Sequence, residues 1–463
     1  MMKIVLTQPN YGWLGKRAWE IPPYTLGILN SSLGVKAQLF DPNFSNSSVE
    51  DVYQYFKEQQ PDIVGVSSSS TEYTEACRMM TQVIKQASPN SEIVQGGVIP
   101  TVMIESAMKD TNVDYWIMGE GEYRFPDLVL AGDVPDGFAT YNDGIPVILP
   151  CREFIDNLDS LPFPDYGNLD IIDYGTKKPK FSQGLLPRNL PYSVTITSRG
   201  CPYQCVFCAA STVSGKKIRY RSAENVLAEI DILYKKGIRE IVFLDDHFLG
   251  NKKRAMDILQ GLMERRYDLL WKCSNIAVFA TDEILLKAMK DSGCYQMTVS
   301  VESGNQSVLR NVIKKPVDLN KVPVVLDKAK EMGFEIIVNF VIGFPDETWE
   351  QIRETVRYAE NLNADLVNFH IATPLPKTEL MKICLERGYL SSDQCSTQGF
   401  TKGVISTSEF TATDLEIIRA FEWDRINFAN PKRQETIARM MGITMDELNK
   451  RRRDTRFEFG KCS

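Results

Sequence analysis

The chain is 463 residues long, with 43% hydrophobic and 24% charged residues, which is enough apolar material for more than one core. Its formal net charge of -7 argues against nucleic acid as the main partner, because such partners require a basic surface. No apolar run approaches the roughly 20 residues of a membrane helix, and residues 1–10 lack a signal-peptide pattern. Ten cysteines, mostly scattered, suit a reducing compartment. We therefore expect a cytoplasmic protein without a membrane partner.

Residues 1–150 alternate short apolar runs with helical patterns. This alternation predicts an α/β domain, Rossmann-like, with a parallel sheet covered by helices on both faces. A hairpin around Asn142–Gly144 is expected to follow the parallel strands. The predicted strands are Lys3–Thr7, Ala37–Phe40, Asp62–Ser67, Glu92–Gln95, Asp114–Met118, Phe138–Tyr141 and Ile145–Leu149.

Polar or glycine-rich loops follow several of these strands, where open parallel sheets bind their ligands. Serine-rich turns offer hydroxyls and free N–H groups, and paired glycines let a flat ligand approach the backbone. Each loop taken singly is also compatible with an ordinary turn or helix cap. The candidate ligand-binding residues are Gln8, Asn10, Ser67, Ser68, Ser69, Thr71, Gly96, Gly97, Gly119 and Glu120.

Residues 151–190 are rich in proline and aspartate and are predicted to be a linker. In residues 191–390, six strand-like runs alternate with helical patterns, which predicts a partial βα barrel with its reactive groups at the carboxyl ends of the strands. Residues 391–463 are predicted to be a small helical region, with helical patterns over Asp414–Phe428 and Pro431–Arg452. The predicted barrel strands are Val194–Thr197, Ile241–Leu244, Trp271–Ser274, Met297–Val301, Ile336–Val341 and Leu366–Ile371.

Three cysteines follow the first predicted barrel strand on one short loop: Cys201, Cys205 and Cys208. A four-iron cluster is normally held by four thiolates, so three leave one iron open to chelate a small molecule through nitrogen and oxygen. The alternative is a zinc site, which needs a fourth ligand, and the nearest downstream candidate is the distant His247.

The run Thr197–Cys208, with spacing C-x-x-x-C-x-x-C and Phe207 before the third cysteine, resembles the signature of radical S-adenosylmethionine (SAM) enzymes. Val301–Leu309 and Val341–Thr348 resemble the downstream motifs of the same family. The resemblance implies a 4Fe-4S cluster whose open iron binds SAM and cleaves it to a 5'-deoxyadenosyl radical. It also implies an electron donor such as flavodoxin or ferredoxin.

Polar residues at the other strand ends are candidates to bind SAM, and the resemblance carries Asp245, Glu302 and Gly343 over directly. The alternatives are a helix cap for Asp246, a hydrogen-bonded loop histidine for His247 and a core aromatic for Phe207. The candidates are Phe207, Asp245, Asp246, Glu302, Ser303, Asn339 and Gly343 for cofactor binding, and His247 for catalysis.

Residues 3–130 resemble the cobalamin-binding domain that precedes the barrel in the cobalamin-dependent branch of this family, on Pro22–Gly27, Gly96–Thr101 and Met118–Glu122. The Asp-x-His-x-x-Gly motif that supplies an axial histidine in other cobalamin proteins is absent. We therefore expect a cobalt whose lower face lacks protein imidazole. The alternatives are a degenerate domain that binds nothing and a methylthiotransferase, but the latter needs three cysteines where only Cys77 precedes residue 150.

The implied cofactors are a 4Fe-4S cluster, SAM and cobalamin, and the implied activity is methylation of an unactivated carbon, or phosphorus, of a small-molecule substrate. The same cofactors would support cyclisation or rearrangement without methyl transfer. A sensor without turnover would need an output domain, and the tail shows no DNA-reading or signalling motif. Cys384, Cys395 and Cys462 are too dispersed to predict an auxiliary cluster.

Overall fold

The computed structural model describes residues 2–15, 21–177, 186–390 and 399–457. Two sheets organise these residues, one of seven strands and one of six, and a two-stranded ribbon is separate from both. The strands are β1 Ile4–Thr7, β2 Gln38–Phe40, β3 Ile63–Ser68, β4 Glu92–Gly97, β5 Tyr115–Ile117, β6 Phe138–Asn142, β7 Ile145–Ile148, β8 Tyr192–Thr195, β9 Ser198–Arg199, β10 Arg219–Tyr220, β11 Glu240–Phe243, β12 Leu270–Ile276, β13 Cys294–Glu302, β14 Glu335–Ile342 and β15 Leu366–Ile371.

The first sheet has the order β2-β1-β3-β4-β5-β6-β7. Strands β1 to β5 are parallel, and β6 and β7 form the predicted antiparallel hairpin. Buried apolar residues lie on both faces of this sheet, which confirms the predicted covered parallel sheet. Its helices are α1 Tyr24–Ser32, α2 Pro42–Ser45, α3 Val49–Gln59, α4 Thr74–Ala87, α5 Val98–Ala107 and α6 Gly121–Pro126.

The second sheet has the order β15-β14-β13-β12-β11-β8, with every pair parallel. Each strand of this sheet pairs with the sheet's next strand in chain order, as in a βα barrel that stops before closure. The predicted six-stranded partial barrel is therefore confirmed. The helices of this region are α7 Ile171–Thr176, α8 Ala210–Ser214, α9 Ala223–Lys235, α10 Lys252–Arg265, α11 Glu283–Asp291, α12 Lys321–Glu331, α13 Trp349–Glu360 and α14 Glu379–Glu386.

Two regions differ in detail from the sequence prediction. The proline-rich linker contains α7, which its composition does not predict. The single helical pattern predicted over Pro431–Arg452 forms two helices, because Gly442 ends the first of them. The helices of the tail are α15 Ala412–Phe428, α16 Pro431–Met441 and α17 Met445–Phe457.

Cys384 is buried in α14, whereas Cys395 and Cys462 lie outside the described residues. We propose domain boundaries near residues 150, 190 and 390, as the sequence suggests. Across the described ranges, no helix has both the length and the apolar character needed to cross a bilayer.

Asn427 of α15 covers the outer edge of the barrel sheet, along β15. Its Oδ1 accepts the N–H of Val367 at 2.8 Å, and its Nδ2 donates to the Val367 carbonyl at 2.7 Å. The amide thus occupies the place of a further strand on β15, and the asparagine is fully buried. An edge strand is a site of unwanted pairing unless another element covers it.

We expect Asn427→Leu to destabilise the protein by about 2–4 kcal/mol, because the change leaves a buried N–H and a buried C=O without partners. A thermal melt followed by circular dichroism would show a lower melting temperature. Asn361→Leu, at the exposed end of α13, is the control and should melt like the wild type. Equal melting temperatures for the two variants would contradict this role of Asn427.

Candidate functional site

The cluster loop, residues 197–208, is held in shape by buried hydrogen bonds. The Asp245 carboxylate, only 1% exposed, accepts the Thr197 hydroxyl at 2.8 Å and the Ser198 hydroxyl at 2.6 Å. Gly200 has a φ of 97°, and a Cβ there would lie 2.3 Å from the Lys217 carbonyl oxygen. The loop therefore requires glycine at this position, and Asp245 is engaged by the loop itself.

The three thiols of this loop differ in exposure: Cys201 and Cys205 are half-buried and Cys208 is exposed. Burial raises the pKa of the Cys205 thiol to about 12. The Cys208 Sγ accepts the N–H of Ala210 at 3.4 Å. No three histidine, cysteine or acidic side chains among the described residues converge on one ion. Three thiols on one short loop fit a four-iron cube, which binds each thiolate at a different iron.

Glu302 lies beside the cluster loop at the end of β13. Its carboxylate accepts the Lys315 Nζ at 2.7 Å, and the same ammonium donates to the Ser300 carbonyl at 2.8 Å. Ser303 is fully buried, shares a 3.1 Å hydrogen bond with the Thr355 hydroxyl and stabilises the following turn. Glu302 is thus paired with a lysine that sequence reasoning did not identify.

Asn339 and Gly343 lie on β14 and just beyond it. Asn339 accepts a hydrogen bond of 3.1 Å from the side chain of Asn368 on β15. The Gly343 N–H donates to the Glu347 carboxylate at 2.8 Å. Burial raises the pKa of Glu347 to about 7. This carboxyl group supports the loop that continues from β14 at the barrel mouth.

His247 packs between two aromatic rings. Its ring centroid lies 5.2 Å from that of Tyr203 in the cluster loop and 6.1 Å from that of Phe279. Its Nδ1 is buried and has no hydrogen-bond partner among the described residues. Burial lowers the pKa of His247, so the neutral imidazole is favoured. The predicted alternative of a hydrogen-bonded loop histidine therefore does not describe this nitrogen.

Phe207 and Asp246 lie in different environments. The Phe207 ring centroid is 5.7 Å from that of Phe344, and Phe207 packs against the barrel core. Asp246 lines a cavity between the two sheets. Burial and the neighbouring Asp245 raise the pKa of Asp246 to about 6.

This cavity has a volume of about 290 Å³ and lies between the carboxyl edges of the two sheets. Its lining is mainly apolar, with contributions from strands of the first sheet, from α1 and from the barrel mouth. Ser67, Gly96, Gly97, Gly119 and Glu120 are the predicted ligand-binding residues that it brings together. The two domains therefore share one cavity.

Gly96 leaves this space open. A Cβ placed on Gly96 would have only one neighbour within 4 Å among the described residues, the Ile117 carbonyl oxygen at 3.9 Å. Ser68 supports the same loop from behind: its buried hydroxyl donates to the Gly96 carbonyl at 2.7 Å and accepts the Ile99 N–H at 3.1 Å. The bare backbone suits close approach by a flat macrocycle.

Four other predicted residues, Gln8, Asn10, Ser69 and Thr71, do not line the cavity. The Asn10 side chain is buried and accepts the Gly12 N–H at 2.9 Å as a helix cap. Gln8 accepts the Tyr11 hydroxyl at 3.3 Å. Thr71 is buried and its carbonyl accepts the Thr74 hydroxyl, while Ser69 is exposed. Helix and turn formation accounts for Asn10 and Thr71.

A buried ion-pair network between the domains was not predicted. Arg199, two residues before Cys201, contacts Glu120 at 3.0 Å and Glu122 at 2.5 Å. Arg219 contacts the other oxygen of Glu120 at 2.7 Å. Burial opposes the charge on Arg199, but Glu122 and Glu120 outweigh it and raise the Arg199 pKa. In the sequence, this network was indicated only by Arg199 inside the cysteine motif. A single arginine does not reveal that its partner, Glu120, lies about 80 residues away.

Comparisons with known proteins agree with this arrangement. Residues 195–359 match the family model of the Radical SAM superfamily, and residues 24–129 match that of the B12 binding domain. The chain is 32% identical over 429 residues to an uncharacterised methyltransferase of Pyrococcus horikoshii, with 90% of each chain covered. It is 27% identical over 388 residues to cytidylyl-2-hydroxyethylphosphonate methyltransferase of Streptomyces wedmorensis, with 75% of this chain and 71% of the relative covered.

A solved structure shares the whole fold. The cobalamin-dependent S-adenosylmethionine radical enzyme OxsB superimposes with a TM-score of 0.75 at 16% identity, covering 99% of this chain and 72% of that one. At that identity the likeness is evidence of fold alone.

We expect Gly96→Leu to abolish cobalamin binding, because the added side chain enters the cavity without straining the backbone. Corrinoid retained per chain, measured by absorbance after removal of the excess, should fall at least tenfold, and iron per chain should not change. Glu92→Leu, at the exposed opposite end of β4, is the matched control and should retain corrinoid. Full corrinoid binding by Gly96→Leu would place the cofactor elsewhere.

Proposed function

Since this chain belongs to the cobalamin-dependent branch of the radical SAM superfamily, we propose that it is a methyltransferase acting on an unactivated carbon, or phosphorus, of a small molecule. The cavity shared by the two carboxyl edges is the observation that carries this proposal. The methyltransferases among its relatives support the same reaction class. When bound, the cluster supplies a radical from SAM, and cobalamin supplies a carrier for the methyl group.

The residues of the barrel mouth have separate roles in this proposal. Cys201, Cys205 and Cys208 hold the cluster. Glu302, Ser303, Asn339 and Gly343 shape the surface where SAM binds, and Asp245 fixes the cluster loop to β11. The proposed role of Asp245 is therefore positional, because the loop itself uses its oxygens.

The first sheet holds cobalamin through Ser67, Gly96, Gly97 and Gly119. Glu120 acts differently: both its carboxylate oxygens are engaged by arginines of the barrel domain. Ser68 supports the Gly96 loop from within the protein. Gln8, Asn10, Ser69 and Thr71 have the weakest support, since they do not line the cavity.

His247 remains the proposed catalytic residue. Its ring packs on Tyr203 of the cluster loop, which places the imidazole beside the proposed cluster site. Burial lowers the pKa of His247, which favours the neutral imidazole.

The apolar cavity lining favours a substrate with an extended hydrocarbon surface, such as a tetrapyrrole, a lipid precursor or a secondary metabolite. We propose flavodoxin or ferredoxin as the reductant. We also propose a cytoplasmic location, because the eight cysteines described by the structure are free thiols.

Anaerobic reconstitution with iron, sulfide and cobalamin tests the proposal, with dithionite as the reductant and SAM labelled by ¹³C in its methyl group. We expect 5'-deoxyadenosine, S-adenosylhomocysteine and label in the corrinoid fraction. About four irons and about one corrinoid should be retained per chain. Replacing Cys201, Cys205 and Cys208 together by alanine should remove the iron and the deoxyadenosine, while corrinoid is retained.

Two results would contradict methyl transfer in different ways. Deoxyadenosine without S-adenosylhomocysteine or labelled corrinoid would favour the alternative, cyclisation or rearrangement. Bound cofactors without any SAM cleavage would favour a sensor.

A further inference from the structure

Lys377, in the loop that follows β15 of the barrel, reaches into the first domain. Its Nζ donates to the carbonyl of Thr101 on α5 at 3.0 Å, although 276 residues separate the two along the chain. Thr101 is buried, whereas Lys377 is exposed. α5 departs from helical geometry at Met103, where φ is -147°. Such a kink interrupts the hydrogen-bond ladder of a helix and leaves carbonyls near it available to donors from outside.

Thr101 connects two segments of the first domain that line the shared cavity. Its hydroxyl donates to the Gly97 carbonyl at 2.6 Å and accepts the Gly119 N–H at 2.8 Å. Both glycines line the cavity, and we call the segments around them the cavity loops. A contact made to Thr101 therefore acts on both cavity loops.

The segment that carries Lys377 is also attached to the cluster loop. Leu380 is fully buried, and its N–H donates to the Val206 carbonyl of the cluster loop at 2.8 Å. Thr378 caps α14 by accepting the Met381 N–H at 3.2 Å, which fixes the chain between Lys377 and Leu380. This short segment thus connects the cavity loops on one side with the cluster loop on the other.

The backbone of Lys377 is strained. Its φ of 59° lies in the left-handed region, which favours glycine and costs free energy for a residue with a side chain. Residues held in this way persist where the surrounding structure determines their conformation, and they are common at functional sites. Glycine would relieve the strain but could not reach Thr101. The strain and the contact between the domains therefore coincide in one residue.

We propose that Lys377 is a positioning residue that holds the cavity loops at a fixed distance from the cluster loop. The inference rests on the proposed function, in which a methyl group passes from SAM at the barrel mouth to the reduced corrinoid. The S–CH₃ bond of SAM breaks with its electron pair left on sulfur, S-adenosylhomocysteine leaves, and the reduced corrinoid supplies the pair of the new bond. This transfer depends on the distance between the domains, whereas formation of deoxyadenosine takes place on the barrel side alone. Lys377 acts on the transfer through Thr101.

Lys377→Met and Lys377→Gly test this role first in the protein without cofactors. Amide hydrogen exchange in the peptides that contain Gly97 and Gly119 should be at least threefold faster in both variants, because both lack the donor to Thr101. Lys377→Gly should melt at a higher temperature than Lys377→Met, since glycine suits the left-handed backbone. A purely structural role would therefore predict slower exchange in the glycine variant. Lys377→Arg keeps a donor and should restore the wild-type exchange.

The reconstituted protein with dithionite gives a second measurement. The ratio of S-adenosylhomocysteine to deoxyadenosine should fall at least fivefold in Lys377→Met and Lys377→Gly, because only the first product requires the two domains to be in register. Lys382→Met, an exposed lysine of α14, is the matched control and should keep the wild-type ratio and exchange.

The outcomes separate this inference from the proposed function. Wild-type exchange in Lys377→Met or Lys377→Gly, an unchanged product ratio, or an equal effect of Lys382→Met would overturn the role of Lys377. A defect that persists undiminished in Lys377→Arg would overturn it too. A wild type that cleaves SAM but forms neither S-adenosylhomocysteine nor labelled corrinoid would instead overturn the proposed methyl transfer, and the exchange measurement would still decide whether Lys377 holds the cavity loops.

Discussion

The buried ion pairs of Glu120 and Glu122 with Arg199 and Arg219 are the constraint on which the site depends. Removing such charges from water costs several kcal/mol for each ion, so they are stable only when every partner is in place. Here the acids follow β5 of the first sheet, and the arginines lie on the ribbon that contains the start of the cluster loop. A displacement of one domain would leave carboxylates buried without partners. The network therefore fixes the distance between the cobalamin edge and the cluster.

The same construction recurs inside the barrel domain. Asp245 at the end of β11 holds the hydroxyls of Thr197 and Ser198, and Arg254 of α10 donates to the Thr197 carbonyl at 2.7 Å. The loop is thus anchored at its base by buried polar contacts while its cysteines remain partly accessible. A rigid base combined with accessible thiols suits a loop that must keep its shape while it takes up iron. Pre-shaping reduces the entropy lost when the cluster is assembled.

Strand periodicity was sufficient to predict both sheets and the place of the cysteine loop, because alternating βα units permit few topologies. Contacts between distant parts of the chain were not predictable. Glu120 was assigned to cobalamin because it follows a strand of the first sheet, yet its oxygens are engaged by Arg199 and Arg219 of the other domain. Asn10 was assigned for a similar reason and is a helix cap. Sequence position identifies the edge of a sheet, but only tertiary packing decides which side chains there face a ligand.

The two halves of the cavity use different chemistry for a physical reason. The first sheet presents glycine backbone and apolar side chains, which allow a large flat ring to approach without a specific charge. The barrel side contributes Arg199 and Asp246 to this cavity. The thiols and the Glu302–Lys315 pair lie outside the cavity lining, and they suit a cluster and a charged amino acid conjugate such as SAM. The arginine and glutamate pairs between the halves neutralise one another, so the space between them remains largely apolar. A hydrocarbon substrate would there be shielded from water, as a reactive radical requires.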